Sequence, residues 1–90
     1  MQDFKITRRG AKAYCLKDMT TGDKIKVDRS IAPEVYVNGE PRFTIGYDGT
    51  IHGQRVWDEE AGRWFYPFTD DEETKFVQAI FETIQKDQEK

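Results

Sequence analysis

Residues 69–86 read TDDEETKFVQAIFETIQK, and they contain the most regular pattern in the chain. Its apolar residues recur at helical spacing and form a single stripe. The stripe consists of Phe76, Val77, Ile80, Phe81 and Ile84. Thr69 and Glu72 have the spacing of a capping box, in which each side chain accepts a hydrogen bond from an otherwise unpaired backbone N–H. The pattern predicts an amphipathic helix over residues 69–87 and a short tail at 88–90.

The sequence before this helix is divided into short segments by five turn signals, most of them about 10–13 residues apart. These signals are Arg9-Gly10, Thr21-Gly22-Asp23, Asn38-Gly39, Asp48-Gly49 and Ala61-Gly62. Between them, apolar and polar residues alternate with a period of two, as in half-buried strands. In the fifth segment, for example, Phe43, Ile45 and Tyr47 alternate with Thr44 and Gly46. Residues 1–68 are therefore predicted to form an antiparallel meander of about six or seven strands.

A small sheet with one apolar face needs a cover, and the predicted helix is the element available to provide it. Ninety residues are also too few for two ordinary domains. We therefore predict an α+β fold in which residues 1–90 form a single domain and the meander packs against the C-terminal helix. Curling of the sheet towards a small barrel is the alternative way to shelter its apolar side chains.

Composition narrows the class of protein. Hydrophobic residues make up 37% and charged residues 34% of the chain, which indicates a globule rather than a disordered or membrane-spanning protein. Cys15 is the single cysteine, so an internal disulfide is excluded and a reducing compartment is expected. Residues 1–10 contain no apolar stretch of the signal-peptide type. We expect a cytoplasmic protein with no membrane association.

Few residues are suited to catalysis. His52 is the single histidine and Ser30 the single serine, and no spacing motif joins either of them to Cys15. The acidic runs 58–60 and 70–73 lack the ligand spacing of a calcium loop, and no zinc or phosphate-binding pattern occurs. We therefore predict a non-enzymatic protein without metal or cofactor, and keep an enzyme using Cys15 and His52 as a third alternative.

Basic residues are concentrated near the start of the chain. Residues 1–30 hold eight Lys and Arg against four Asp, although the whole chain has a net charge of −3. The strand alternation predicts an outward basic face of Lys5, Arg9, Lys17, Lys24 and Lys26, with the register uncertain by one residue because Arg8 and Lys12 interrupt the pattern. Such a face, with Tyr14 or Tyr36 stacking on a base, would suit a nucleic-acid-binding domain within residues 5–29. The acidic pI of about 5.1 argues against it.

The aromatic residues are concentrated further along the chain. Residues 57–68 contain five of the twelve aromatics, namely Trp57, Trp64, Phe65, Tyr66 and Phe68. If residues 64–66 form a strand, both of its faces carry rings, and one helix can cover only one face. The uncovered rings then either fill a barrel interior or form an interface.

These observations favour a protein-binding accessory or inhibitory module that acts on a larger cytoplasmic protein. The predicted partner-binding residues are Trp57, Asp58, Glu59, Glu60, Trp64, Phe65 and Tyr66. Proteins of this size occur among phage and mobile-element products that inhibit host machinery, and the analogy suggests a similar setting. The nucleic-acid-binding domain is the main alternative, and the oligomeric state stays open.

Overall fold

The computed structural model describes residues 3–89, which form eight strands and one helix. The first sheet contains β1 (Phe4–Arg9), β2 (Ala13–Asp18), β3 (Lys24–Asp28), β4 (Glu34–Val37), β5 (Glu40–Ile45) and β6 (Ile51–Gly53). The second sheet contains β7 (Val56–Asp58) and β8 (Arg63–Phe65), and helix α1 spans Asp71–Gln88. Each strand of the first sheet pairs antiparallel with its chain neighbour, in the order β1-β2-β3-β4-β5-β6. The predicted α+β meander with a C-terminal helix is confirmed.

The core lies between one face of the six-stranded sheet and α1. From the helix, Val77, Ile80 and Ile84 are buried, as the apolar stripe predicts. They pack against alternate residues of the strands, which are Phe4, Tyr14, Leu16, Ile25, Val27, Val35, Val37 and Phe43. Phe76 adds ring contacts to Phe4 and Phe43, with centroids 5.6 and 6.1 Å apart. The opposite face of the sheet has no helix on it in the described part of the chain.

The sheet is open, so the suggested curling into a barrel is not observed. Barrel closure would require β6 to pair with β1. Instead, β6 pairs along its outer edge with the segment after β8, through a bridge between His52 and Phe68 and a 2.9 Å hydrogen bond from Gly53 N to Pro67 O. This segment occupies the edge that closure would need, and α1 already shelters the apolar face.

The helix begins one residue later than predicted. Asp70, rather than Thr69, is the N-cap, and its side chain accepts a 2.8 Å hydrogen bond from Glu73 N. Glu73, rather than Glu72, completes the capping box by accepting from Asp70 N at 3.1 Å. The predicted and the observed N-cap differ by one position because aspartate and threonine are both good N-caps. At the other end, Gln88 is still helical where a tail was predicted; Lys90 lies outside the described residues.

The fifth strand is shorter than its alternation predicts. It ends at Ile45, and Tyr47 lies in the following turn with 86% of its surface exposed. Hydrogen bonds from Gly46 N to Thr50 O and from Gly49 N to Gly46 O close this turn. Gly46, which the alternation predicts to be a small strand residue, therefore begins the turn.

The turn between β4 and β5 needs residues in the left-handed region. Asn38 and Gly39 have φ values of 53° and 84°, as a type I′ hairpin turn requires. The Asn38 side chain accepts from Lys24 N and donates to Asp23 Oδ1, both at 2.9 Å, and so ties the turn to β3. Hydrogen bonding to the Asn38 side chain, and next in size that to the Thr21 side chain, holds the pKa of Asp23 below its ordinary value.

We expect Gly39→Ala to lower the free energy of unfolding by about 1–2 kcal/mol, because a Cβ disfavours this φ even in open space. Gly53→Ala is the matched control: its φ is not in the left-handed region, and the new Cβ would make an ordinary contact 3.5 Å from Pro67 Cγ. Urea unfolding followed by circular dichroism measures both. Equal losses at the two positions would contradict the assigned turn.

Candidate functional site

Two surfaces stand out, and the first is the aromatic hairpin, which we define as residues 55–66. Its strands β7 and β8 pair with each other and with no other strand among residues 3–89. Trp57 lies directly opposite Trp64, with ring centroids 5.4 Å apart in an edge-to-face arrangement. The guanidinium of Arg55 lies 4.5 Å from the centre of the Trp64 ring. These contacts hold a two-stranded unit that is marginal by itself.

The opposite face of the hairpin is also apolar. Val56 pairs with Phe65, and both are exposed. The exposed fractions decide how these rings are used: Trp57 51%, Trp64 52%, Phe65 42%, Tyr66 48% and Phe68 82%. The rings therefore fill neither a barrel interior nor the core beneath α1. The two-sided aromatic strand inferred from the sequence is present, although β8 ends at Phe65 and Tyr66 follows it.

The tip of the aromatic hairpin is acidic. Asp58 shapes it, because its Oδ1 accepts from Glu60 N at 3.0 Å and Ala61 N at 3.2 Å. Gly62 closes the turn in the left-handed region, with φ 66°. Glu59 and Glu60 are exposed. Of the three predicted acidic residues, Asp58 therefore has a structural role, while the two glutamates are available to a partner.

The second surface is the basic sheet face, on the side of the six-stranded sheet that α1 does not cover. Residues directly opposite each other on paired strands share a face. Lys5, Lys17 and Lys24 form one row across β1, β2 and β3, and Arg8 and Lys26 belong to the next row, on either side of Cys15. We define the basic sheet face by these five cations. All five are exposed, and none forms an ion pair within residues 3–89.

Arg9 does not belong to this face, which corrects the prediction. The pairing of β1 with β2 shifts between Ile6 and Arg8, so that Arg8 lies opposite Cys15 and Arg9 opposite the buried Tyr14. This bulge turns Arg9 to the helix side, where it donates two hydrogen bonds to the Asp87 carboxylate, at 2.7 and 2.5 Å. The pairing raises the pKa of Arg9. Arg8, which the sequence pattern marked as an irregularity, takes its place.

Of the two tyrosines proposed for base stacking, only Tyr36 is accessible from the basic sheet face. Tyr14 is buried in the core beneath α1. Tyr36 lies opposite Lys26, whose Nζ is 4.7 Å from the ring centre. Its hydroxyl donates a 3.1 Å hydrogen bond to Glu34 Oε2, and this carboxylate raises the pKa of the Tyr36 phenol.

The same side of the sheet carries further rings at its other edge. His52 lies opposite Thr44, and Phe68 lies opposite His52. The ring of His52 is 5.3 Å from Phe68 and 6.5 Å from Tyr66, centre to centre. The sequence pattern did not assign Phe68 to a site, because it follows Pro67 outside any alternating segment and its face is set by the bridge to β6.

Cys15 and His52 are not neighbours. They lie in β2 and β6, four strand spacings apart in the same sheet, or about 19 Å. The sheet therefore does not bring the two together as a nucleophile and base. In the described part of the chain, no group of three or more His, Cys, Asp or Glu side chains is placed to hold a metal ion. The helix of residues 71–88 does not have the apolar length that crossing a membrane requires.

Comparison with known proteins adds no relative: no family model, no curated protein and no solved structure matches the chain. Function is therefore inferred from the two surfaces themselves.

Proposed function

We propose that this chain is a non-enzymatic protein-binding module, an accessory or inhibitory protein that acts on a larger cytoplasmic partner through the aromatic hairpin. The single observation that supports this most strongly is the exposure of rings on both faces of a hairpin that pairs with no other strand of residues 3–89. Leaving such rings in water is unfavourable, and large exposed apolar patches commonly mark interfaces.

The exposed aromatic area of the hairpin is large enough to form the centre of a protein interface. A large aromatic side chain buries about 150–250 Å² when fully covered, so the four half-exposed rings of the hairpin offer about 400 Å². A standard interface buries about 800 Å² on each partner. The rings would thus form the centre of the interface, where Trp and Tyr residues contribute most of the binding energy.

The shape of the hairpin defines the partner. Because Trp57 and Phe65 point to opposite faces, a flat surface could contact only one of them. The partner should therefore have an apolar cleft that receives the hairpin from both sides. Glu59 and Glu60 at the tip call for basic residues at the base of that cleft. The free thiol of Cys15 fits a reducing, cytoplasmic setting.

Site-specific photocrosslinking tests this proposal. We would place p-benzoylphenylalanine at position 57 in one sample and at position 47 in another, and irradiate both in nuclease-treated lysate of the source organism. Tyr47 is the control because it is an exposed aromatic outside the hairpin. We expect a discrete protein adduct from position 57 that excess unlabelled chain competes away. The same adducts from both positions, or no competable adduct from position 57, would contradict the proposal.

A further inference from the structure

We infer that the chain has a second binding site, independent of the aromatic hairpin: the basic sheet face binds single-stranded nucleic acid. The five cations supply contacts to phosphates, and Tyr36 and Phe68 supply rings on which bases stack. Single-strand-binding sheets combine these same two elements.

The charge of this face is opposite to that of the whole molecule. Lys5, Arg8, Lys17, Lys24 and Lys26 contribute five positive charges, while Asp28 and Glu34 are the acidic residues that the register places on the same side. The face is therefore net positive, although the chain has a net charge of −3. The acidic first turn of α1 is separated from it by the sheet, because the helix packs on the other side. Because the basic and acidic residues lie on opposite sides of the sheet, the negative net charge of the protein does not prevent phosphate from approaching the basic sheet face.

None of these five cations forms an ion pair with a residue in the described part of the chain. Arg9, by contrast, is paired with Asp87 on the helix side. Five cations on three adjacent strands repel one another, and the sheet does not neutralise them with a facing carboxylate row. A polyanion lying across the rows, such as the phosphate backbone of a nucleic acid, would relieve that repulsion.

The rings favour a single strand over a duplex. From β1 to the edge segment at 66–68, the open side of the sheet extends about 29 Å, since neighbouring strands lie about 4.8 Å apart. Cations occupy the β1 to β3 half, Tyr36 lies in the middle, and Phe68 lies at the far edge with 82% of its surface exposed. Unpaired bases can stack on these rings, whereas the bases of a duplex are already stacked on each other.

The test is a fluorescence anisotropy titration of the full chain with labelled oligothymidylate, oligouridylate and a mixed-sequence duplex. Each is about 12 nucleotides long, within the range of about 4–16 nucleotides that one single-strand-binding OB-fold covers. With four or five phosphates neutralised, the slope of log Kobs against log salt should be about −3, so affinity should fall about 60-fold between 50 and 200 mM salt. Both single strands should bind more tightly than the duplex. The ratio of the dissociation constants for oligothymidylate and oligouridylate shows whether the site prefers DNA or RNA.

Variants locate the site. The double substitution Lys17→Gln and Lys26→Gln should weaken binding about tenfold or more and make the salt slope shallower by about 1.4. Its control is Lys75→Gln with Lys86→Gln, which removes the same charge from exposed positions on α1 and should change little. Phe68→Leu should weaken binding about fivefold or more, while Tyr47→Leu, which removes an equally exposed ring elsewhere, should not.

Several results would overturn the inference. One is a flat titration with both single strands at 50 mM salt. Another is equal loss from the sheet and helix lysine pairs, which would mean that net charge and not this face controls binding. A third is equal binding of the duplex or of polyglutamate, with no effect of Phe68→Leu, which would identify a site for polyanions in general, acidic proteins included. Circular dichroism of each variant confirms that it is folded.

Discussion

Ile80→Ala should lower the free energy of unfolding by about 2–5 kcal/mol. Ile80 is fully buried at the centre of the α1 stripe, between the helix and the covered face of the sheet. The substitution removes three carbon atoms and leaves a cavity that rigid strands on one side cannot fill. A domain of this size has a free energy of unfolding of about 5–13 kcal/mol, so this one substitution removes a large part of its stability.

Ile31→Ala provides the matched control, because the same atoms are removed from a side chain that is 83% exposed. We expect it to change the free energy of unfolding by less than about 0.5 kcal/mol. Urea unfolding should be followed by far-ultraviolet circular dichroism, since both tryptophans lie in the exposed hairpin and report poorly on the core. If the two substitutions cost the same, α1 does not form the core described above.

The double substitution Trp57→Thr and Trp64→Thr should have the opposite effect: a large loss of partner binding with little loss of folding stability. It should abolish capture of the protein partner, with a loss of affinity of about 100-fold or more, because central tryptophans commonly contribute about 2 kcal/mol or more each. It should cost the body of the fold no more than about 1 kcal/mol, since the rings are half exposed and their main partners are each other. Threonine is chosen because it retains strand propensity.

The control for this variant is Ile31→Thr with Tyr47→Thr, which removes two exposed large side chains elsewhere on the surface. Its capture of the partner should equal that of the unsubstituted chain. If the tryptophan variant instead unfolds cooperatively at much lower urea, the rings belong to the fold, and their exposure carries no functional meaning.

The parts of the fold that a local pattern determines were predictable. The stripe from Phe76 to Ile84 predicts the helix, and the five turn signals predict the antiparallel order, although eight strands form where about six or seven are predicted. Four of the turn glycines have positive φ, at positions 22, 39, 49 and 62. Each of these features is encoded by neighbouring residues and does not depend on distant contacts.

The features that were missed depend on contacts between distant segments. The bulge near Thr7 places Arg8, and not Arg9, on the open face of the sheet. It is visible only in the pairing of β1 with β2 and in the ion pair between Arg9 and Asp87. In the same way, the bridge from Phe68 to His52 decides that the sheet stays open and where the last exposed ring lies. Alternation within one strand carries no information about either.

The aromatic hairpin could be predicted from the sequence only in part. Clustering of aromatic residues in 57–68 predicts that one helix cannot cover them all, and the exposed rings confirm this. The pairing of Trp57 with Trp64, and of Val56 with Phe65, follows from the register of a separate two-stranded sheet. The sequence alone does not distinguish an interface from a barrel interior, because barrel closure depends on which strands meet at the edges of the sheet.

Amide hydrogen exchange of the complex between this chain and the captured partner shows which surface the partner covers. We expect slower exchange on binding in residues 56–66, with β2, β3 and β4 unchanged. Slower exchange confined to the six-stranded sheet or to α1, with the hairpin as fast as in the free chain, would contradict it.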